Sequence, residues 1–290
     1  MGYVMKKEER HITEEDVKKS LPRNRKEVFF DLLKNRKMNL FSFSCYTFIF
    51  FIPLAVDLFY FNFLESAATA TGNNDQLFSL LFYSMLIMLP CMVIGFIGLA
   101  GSFYTAKKMV WQEGLSLASD FFQGIKENWK HALLNGVIFG LALFGLIIGG
   151  TYLIIYAPVH AVVKGIGLGA LILFFLVFGM VTVINFTQCV YYENSYGVTL
   201  KNSFSFLGLL NWKILVTYLL TTGTVVTLGL FNLITLTIGL LLFAITNSLV
   251  VILYTLISHS AFDKYINKEH YPSMVNKGLY KDESQINKEA

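Results

Sequence analysis

Charged residues are scarce in this chain, and long stretches contain none. Asp, Glu, Lys and Arg make up 14% of the 290 residues, whereas they make up about 25% of a typical soluble domain. Hydrophobic residues make up 55%, and the mean hydropathy is +0.57. This composition is typical of an integral membrane protein and excludes an ordinary soluble domain.

Cysteine is rare as well, and catalytic motifs are lacking. The three cysteines, Cys45, Cys91 and Cys189, have no metal-binding spacing, so we expect them to be small packing residues without disulfides. The five histidines are scattered along the chain, and no HExxH, GxSxG or paired intramembrane carboxylate occurs. The sequence therefore predicts a protein that is not an enzyme and that holds no cofactor and no metal.

Six apolar runs are present, and each has about the 20-residue length with which a helix crosses a bilayer. They cover residues 39–61, 77–101, 132–156, 165–189, 213–230 and 236–258. A helix satisfies its own backbone hydrogen bonds where no water is available. The fifth run is the shortest, and Thr221, Thr222 and Thr224 make it the most polar. The sequence therefore predicts an all-α, polytopic membrane protein with six transmembrane helices.

Lysine and arginine are unevenly distributed among the loops, which predicts an orientation in the membrane. Eleven of them precede the first run, four lie between the second and third runs, and more follow the sixth run. The loops after the first and fifth runs have none. Because basic loops stay on the cytoplasmic side, we expect both termini to be cytoplasmic. The first 37 residues are too polar for a cleavable signal peptide.

One phrase occurs twice at a constant offset of 83 residues. Residues 114–130 read GLSLASDFFQGIKENWK, and residues 197–213 read GVTLKNSFSFLGLLNWK. The matched positions are Phe121 with Phe204, and Asn128, Trp129 and Lys130 with Asn211, Trp212 and Lys213. Both copies lie in basic loops and lead into an apolar run. We interpret each copy as a cytoplasmic amphipathic linker helix and expect the membrane domain to consist of repeated helical hairpins.

The chain divides into three parts on this basis. Residues 1–38 form a basic cytoplasmic segment with a short helix starting at Thr13. Its residues 26–37 form either an interfacial helix, with Val28, Phe29, Leu32 and Leu33 against lipid, or an ordinary basic flank. Residues 39–262 form the transmembrane domain, with hairpin units at 39–130, 131–213 and 214–262. Residues 263–290 form a cytoplasmic tail.

Glycines at helical spacing predict places where two helices approach closely. Such glycines occur in three runs, as Gly95, Gly98 and Gly101, as Gly145 and Gly149, and as Gly165 and Gly169. Small residues let helix backbones pack tightly in lipid, where the hydrophobic effect does not hold helices together.

The repeated phrase is the first candidate site. Trp129 and Trp212 precede an apolar run, where an indole ring favours the headgroup level, and Lys130 and Lys213 can extend to lipid phosphates. The phrase is therefore either an interface anchor or a docking surface for a partner protein. Its candidate residues are Phe121, Asn128, Trp129, Lys130, Phe204, Asn211, Trp212 and Lys213.

Polar residues inside the runs are the second candidate site, because they are costly in lipid. Asn247 lies near the centre of the sixth run, and an antiparallel hairpin would place it level with Thr221 and Thr222. These residues form either interhelical hydrogen bonds or the wall of a polar cavity. Asp57 lies near the outer end of the first run and either extends to the surface or holds a proton or cation.

Residues 95–134 resemble the YesL family of bacterial integral membrane proteins, a family of unknown function. The matching positions are Gly98, Ala100, Tyr104, Lys107, Lys108, Met109, Phe121, Phe122, Asn128, Trp129 and Lys130. The resemblance implies a six-span protein of the bacterial cytoplasmic membrane and an accessory role in carbohydrate uptake by an ABC transporter. It implies no catalytic or binding residues.

Two functions follow as alternatives. The first is a non-catalytic accessory component that docks on an ABC transporter subunit through its linkers. The second is a small-solute permease or channel, assembled as a homo-oligomer, with a polar midplane site near Asn247. The bilayer is a partner in both cases, and nucleic acid is a partner in neither.

Overall fold

The computed structural model describes residues 21–69, 72–224, 228 and 232–280. All regular structure in these ranges is helical, which confirms the expected all-α fold. The helix expected from Thr13 and residues 281–290 of the expected tail lie outside the described ranges.

Seven long helices make up the described part of the chain. They are α1 (Arg25–Asn35), α2 (Lys37–Thr69), α3 (Asn74–Val110), α4 (Leu117–Phe144), α5 (Ala161–Tyr191), α6 (Tyr196–Tyr218) and α7 (Leu233–Phe262). π-helical turns extend α4 over Gly145–Gly149, α6 over Leu219–Gly223 and α7 over Asp263–Asn267. Short helical segments follow at Gly150–Ile155, Lys268–His270 and Pro272–Met274.

Five helical stretches are long and apolar enough to cross a membrane, as a multi-pass membrane protein requires. They are Lys37–Ser66, Asn74–Val110, Leu117–Ile155, Ala161–Tyr191 and Leu233–His270, with mean hydropathies from 1.8 to 2.6. The segments Tyr196–Leu209 and Trp212–Gly223 give a sixth if they count as one span, although they are bent by 98°. The described residues thus contain five or six candidate spans where the sequence predicts six.

The first copy of the phrase does not form a helix of its own. Leu117–Ile155 is a continuous helical stretch of 39 residues. At 1.5 Å per residue it is about 58 Å long, against about 30 Å for a hydrocarbon core. The expected separate linker helix is wrong for this copy, because no proline interrupts residues 117–132 and the helix continues into the span.

Glycines bring α2, α3 and α4 close together. A Cβ atom at Gly98 would lie 2.6 Å from Phe50 Cβ of α2, and one at Gly101 would lie 2.6 Å from the Phe121 carbonyl oxygen of α4. Gly95 faces another aromatic ring of α2 in the same way. The close contacts expected at these three glycines are confirmed.

The other two glycine pairs do not make such contacts. A Cβ atom at Gly149 would lie 3.4 Å from Leu171, an ordinary packing distance. At Gly145, Gly165 and Gly169 it would meet no described neighbouring atom within 4 Å. The close contacts expected there are wrong within the described ranges, and the reason at Gly165 and Gly169 is that both are exposed.

The described chain ends pack together at one end of the bundle, which we call the terminal end. Val28 and Leu32 of α1 are 0% and 1% exposed, so the alternative in which they lie against lipid is wrong, because other protein residues cover them. The Tyr280 backbone N donates a hydrogen bond to the Pro22 carbonyl oxygen over 2.9 Å. The first and last described segments therefore lie side by side.

Gly124→Ala is expected to lower the melting temperature of the solubilised protein. Its new Cβ would collide with Tyr104 Cβ, an atom that no rotamer change moves, and overpacking typically costs about 1–3 kcal/mol. Gly169→Ala is the matched control, because its new Cβ meets no described neighbour within 4 Å. Equal melting temperatures for the two variants would contradict the close approach of α3 and α4.

Candidate functional site

A buried carboxylate, that of Asp263, lies at the centre of the terminal end. It belongs to the π-helical turn after α7, and its side chain is 10% exposed. Its Oδ2 atom accepts hydrogen bonds from Arg25 Nη2 over 2.7 Å and from the Asn276 backbone N over 3.2 Å. Its Oδ1 atom accepts a hydrogen bond from Asn267 Nδ2 over 2.8 Å. The Asp263 carboxylate is therefore bonded both to α1, far away in the sequence, and to residues that follow it closely.

His259 links Asp263 to the turn after α3. Its Nε2 atom accepts a hydrogen bond from Trp111 Nε1 over 3.3 Å and lies 3.4 Å from Asp263 Oδ1. Because Nε2 accepts the indole hydrogen, it carries no proton in this arrangement, and the contact with Asp263 is not an ion pair. The Tyr191 ring stacks on the imidazole with ring centres 4.9 Å apart. Aromatic rings thus cover this side of the cluster.

Lys277 closes the cluster from the other side. Its Nζ atom donates a hydrogen bond to Glu113 Oε1 over 2.7 Å and lies 3.8 Å from the centre of the Trp111 ring. Arg25 Nη1 donates to the Lys277 carbonyl oxygen over 3.2 Å. We use the name Asp263 cluster for Arg25, Trp111, Glu113, His259, Asp263, Asn267, Asn276 and Lys277.

A cleft of about 410 Å³ opens beside the Asp263 cluster. Its walls come from the end of α5 and the turn after it, from the first part of α6, and from residues 265–271. Tyr192 lines the cleft and connects it to the cluster, because its hydroxyl donates to Asn267 Oδ1 over 2.7 Å. Burial raises the pKa of Tyr192, and the negative charge of Asp263 raises it further, so the hydroxyl stays protonated.

The first copy of the phrase is divided between the core and the surface. Phe121 is fully buried and packs near the Tyr46 and Phe50 rings of α2. Asn128 is 6% exposed and donates to the Gly124 carbonyl oxygen over 3.0 Å. Trp129 is 45% exposed, and Lys130 Nζ lies 5.7 Å from the centre of its ring. Of the four candidate residues in this copy, only Trp129 and Lys130 are therefore exposed.

The second copy lies in a different environment. Phe204 is 42% exposed, with its ring 5.9 Å from that of Phe178. Trp212 is 71% exposed, and Lys213 is exposed beside it. The side chain of Asn211 lies outside what the structure describes. The helix bends by 98° near Asn211, between Leu209 and Trp212, whereas the first copy continues straight into its span.

The predicted intramembrane polar site is not brought together. Asn247 Nδ2 donates to the Ser44 carbonyl oxygen of α2 over 3.1 Å. Thr221 and Thr222 instead lie 3.0 and 3.2 Å from the Tyr254 hydroxyl. Tyr254 is seven residues after Asn247, a distance of about 10 Å along a helix. The expected level pairing of Asn247 with the threonines is wrong, because the register of α6 against α7 is shifted by two turns.

Asp57 is also placed differently from the prediction. α2 continues to Thr69, so Asp57 lies three turns from the helix end instead of one. It is 7% exposed, and the Ser84 hydroxyl of α3 donates to it over 3.5 Å. The carboxyl group is therefore packed against α3 and does not extend to the surface.

The sequence reasoning missed the Asp263 cluster and the cleft. It treated the lysines before and after the spans as orientation signals alone. Two signals were available: the four-residue spacing of His259 and Asp263, which puts both on one helical face, and the tyrosines and asparagines of residues 265–276. Neither signal identifies Arg25 as the residue that pairs with Asp263, because the two are 238 residues apart in the sequence.

The comparisons with known proteins assign no family. No family model, no curated protein and no solved structure matches the chain. In the described residues, no group of three or more His, Cys, Asp or Glu side chains is arranged to hold a metal ion.

Asp263→Ala is expected to release α1 and residues 271–280 from the bundle. Removing one partner of a buried ion pair typically costs about 3–5 kcal/mol, and the loss should appear as faster amide hydrogen exchange in both segments. Glu113→Gln is the matched control, because the Lys277–Glu113 pair is 39% and 32% exposed and exposed pairs contribute about 0–1 kcal/mol. Unchanged exchange in Asp263→Ala would show that the carboxylate does not hold the chain ends.

Proposed function

We propose that this chain is a non-catalytic accessory protein of a bacterial transport system, docked on a transporter subunit through its terminal end. The observation that carries the proposal is an exposed aromatic and basic face on the part of α4 that exceeds a bilayer's thickness. We call this face, formed by Phe122, Lys126, Trp129 and Lys130, the α4 face.

The residues of the α4 face lie on one side of the helix, and Phe122 lies beyond the expected headgroup layer. Positions i, i+4 and i+7 lie on one side of a helix, and Phe122 and Trp129 are 56% and 45% exposed. Exposed aliphatic residues follow at Leu134, Val137 and Leu141, as expected of a lipid-facing surface. Phe122 lies twelve residues before Leu134, about 18 Å along the axis, which exceeds a headgroup layer of about 5–8 Å. A protein partner is therefore a better match for Phe122 than lipid is.

Trp129 and Trp212 fit the interface instead. Trp129 lies five residues before Leu134, about 7.5 Å along the axis, which corresponds to the headgroup level that tryptophan favours. Each tryptophan is followed by an exposed lysine that can extend to phosphate. We therefore assign the tryptophans to anchoring and Phe122 with Lys126 to docking.

Paired polar groups inside the bundle support an accessory role over a permease. Thr47 Oγ1 lies 2.6 Å from Ser102 Oγ, and Asn135 Nδ2 donates to Asn185 Oδ1 over 3.0 Å. Such bonds hold helices together in lipid and use groups that a transported solute would need. The permease with a site near Asn247 has less support, because Asn247 does not line the cleft.

Six spans with both termini in the cytoplasm fit the contact between Pro22 and Tyr280. Two chain ends on one side of a membrane require an even number of crossings, and the five continuous candidate spans supply an odd number. Counting Tyr196–Gly223 as the sixth crossing restores an even number. The basic loops then favour the cytoplasm for the terminal end, and the resemblance to the YesL family favours a carbohydrate ABC importer as the partner.

The double variant Phe122→Ser with Lys126→Glu is expected to lose its transporter contact. Replacing an exposed aromatic anchor and reversing a neighbouring charge should weaken docking by at least about tenfold. A photoreactive residue at the adjacent Glu127 would report the contact by cross-linking in cells, and uptake of radiolabelled maltose would report its consequence.

Phe63→Ser is the matched control, because Phe63 is 70% exposed near the far end of α2. It should leave cross-linking and uptake unchanged. Docking through α4 is wrong if the double variant cross-links to the same subunit as efficiently as the unmodified chain. Purified protein that transports maltose in liposomes without a partner would favour the permease.

A further inference from the structure

The cleft beside the Asp263 cluster has the size of a small-molecule site. Its volume of about 410 Å³ lies within the rough 300–1,000 Å³ range of ligand pockets. α6 bends by 98°, so its arm Tyr196–Leu209 forms one wall, and residues 265–271 form the facing wall.

The innermost polar group of the cleft has an unused acceptor. Gln188 is 1% exposed and lines the cleft, and its Nε2 atom donates to Ser203 Oγ over 3.2 Å. Its Oε1 atom accepts no hydrogen bond from any described residue. A buried acceptor without a partner typically costs about 1–3 kcal/mol. Oε1 is itself buried, so a ligand hydroxyl reaches it once the Gln188 side chain turns toward the cleft, and a hydrogen bond donated to Oε1 would then recover that energy.

Further amides and rings line the same space. Asn194 and Asn202 are partly exposed, and neither side chain has a hydrogen-bond partner within the described ranges. Phe206 is 7% exposed, and its ring centre lies 6.4 Å from that of Tyr265 at the rim. The cleft therefore combines amides, which both donate and accept, with flat apolar surfaces.

The side chains that line the cleft favour a neutral ligand over an anionic one. Of the described residues that line the cleft, none is Asp, Glu, Lys or Arg. The lining includes one histidine, the exposed His270. A phosphorylated or carboxylated ligand would therefore lose its hydration there with at most this single partner for its charge, whereas a neutral ligand needs none.

From these features we propose that the cleft binds a small uncharged ring compound with several hydroxyl groups, a neutral sugar or cyclitol in chemical class. Its hydroxyls bond to Gln188, Asn194 and Asn202, and a ring face packs on Phe206 and Tyr265. The proposal does not depend on docking to a transporter, because the complete site lies within one chain.

Calorimetric titration of the full chain in nanodiscs tests the proposal, with maltose, glucose and myo-inositol as probes and glucose 6-phosphate as the charged counterpart. We expect saturable binding of at least one neutral probe and at least tenfold weaker binding of the phosphate. The bound probe should also slow amide exchange in residues 263–274. Absence of binding by all three neutral probes, or equal binding of glucose 6-phosphate, overturns the proposal.

Substitutions locate the binding. Asn202→Ala with Tyr265→Ala should weaken it by roughly tenfold, because a hydrogen bond and a stacking surface are lost together. Gln188→Met should weaken it severalfold, since it keeps the side-chain length and removes Oε1. Lys201→Ala is the matched control, because Lys201 precedes Asn202 on the same helix, is exposed and does not line the cleft. Equal affinity of the double variant and Lys201→Ala would place the ligand elsewhere and overturn the assignment.

Discussion

The Asp263 carboxylate is largely removed from water, and a charge in that position requires a partner. Its ion pair with Arg25 is the interaction around which the terminal end is organised. The carboxylate receives hydrogen bonds from α1, from its own π-helical turn and from the segment after it. The Coulomb energy of an ion pair such as Arg25 with Asp263 rises as water is excluded. Trp111 and Tyr191 contact His259 and so cover the side of the cluster on which His259 lies. The wall formed by Tyr265 and its neighbours depends on the same bonds, because it is held between Asp263 and Asn276.

Close packing elsewhere determines where a cleft can form. α2, α3 and α4 touch through glycines that leave no space for a Cβ atom, so these three helices leave no gap where the glycines lie. α5 and α6 also touch through a glycine, because the Tyr218 side chain packs against Gly179. The bend of α6 then directs Tyr196–Leu209 away from the axis of Trp212–Gly223. A cleft of about 410 Å³ remains under this arm, and residues 265–271 cover it.

The sequence predicts features that lipid imposes and misses features that distant residues create together. Five of the six apolar runs fall, to within one residue, in continuous candidate spans, because backbone groups in lipid must bond within their own helix. The Asn247 pairing was wrong because hydropathy gives the direction of a helix and not its register. The Asp263 cluster was missed because Arg25, Glu113 and Lys277 are ordinary charges in their local sequences. The pairing of Arg25 with Asp263 becomes important only when the fold largely excludes water around the two side chains.

The division between bilayer and water also explains why the candidate sites lie at one end. Inside the bundle, a serine or asparagine without a partner is costly, so helix packing favours pairs such as Ser44 with Ser248 at 2.8 Å. At the terminal end, water can satisfy polar groups before a ligand or partner replaces it, so Asn194 and Asn202 remain unpaired at low cost. The proposed binding sites therefore lie where the chain leaves the lipid, whereas the polar groups of the interior hold the helices together.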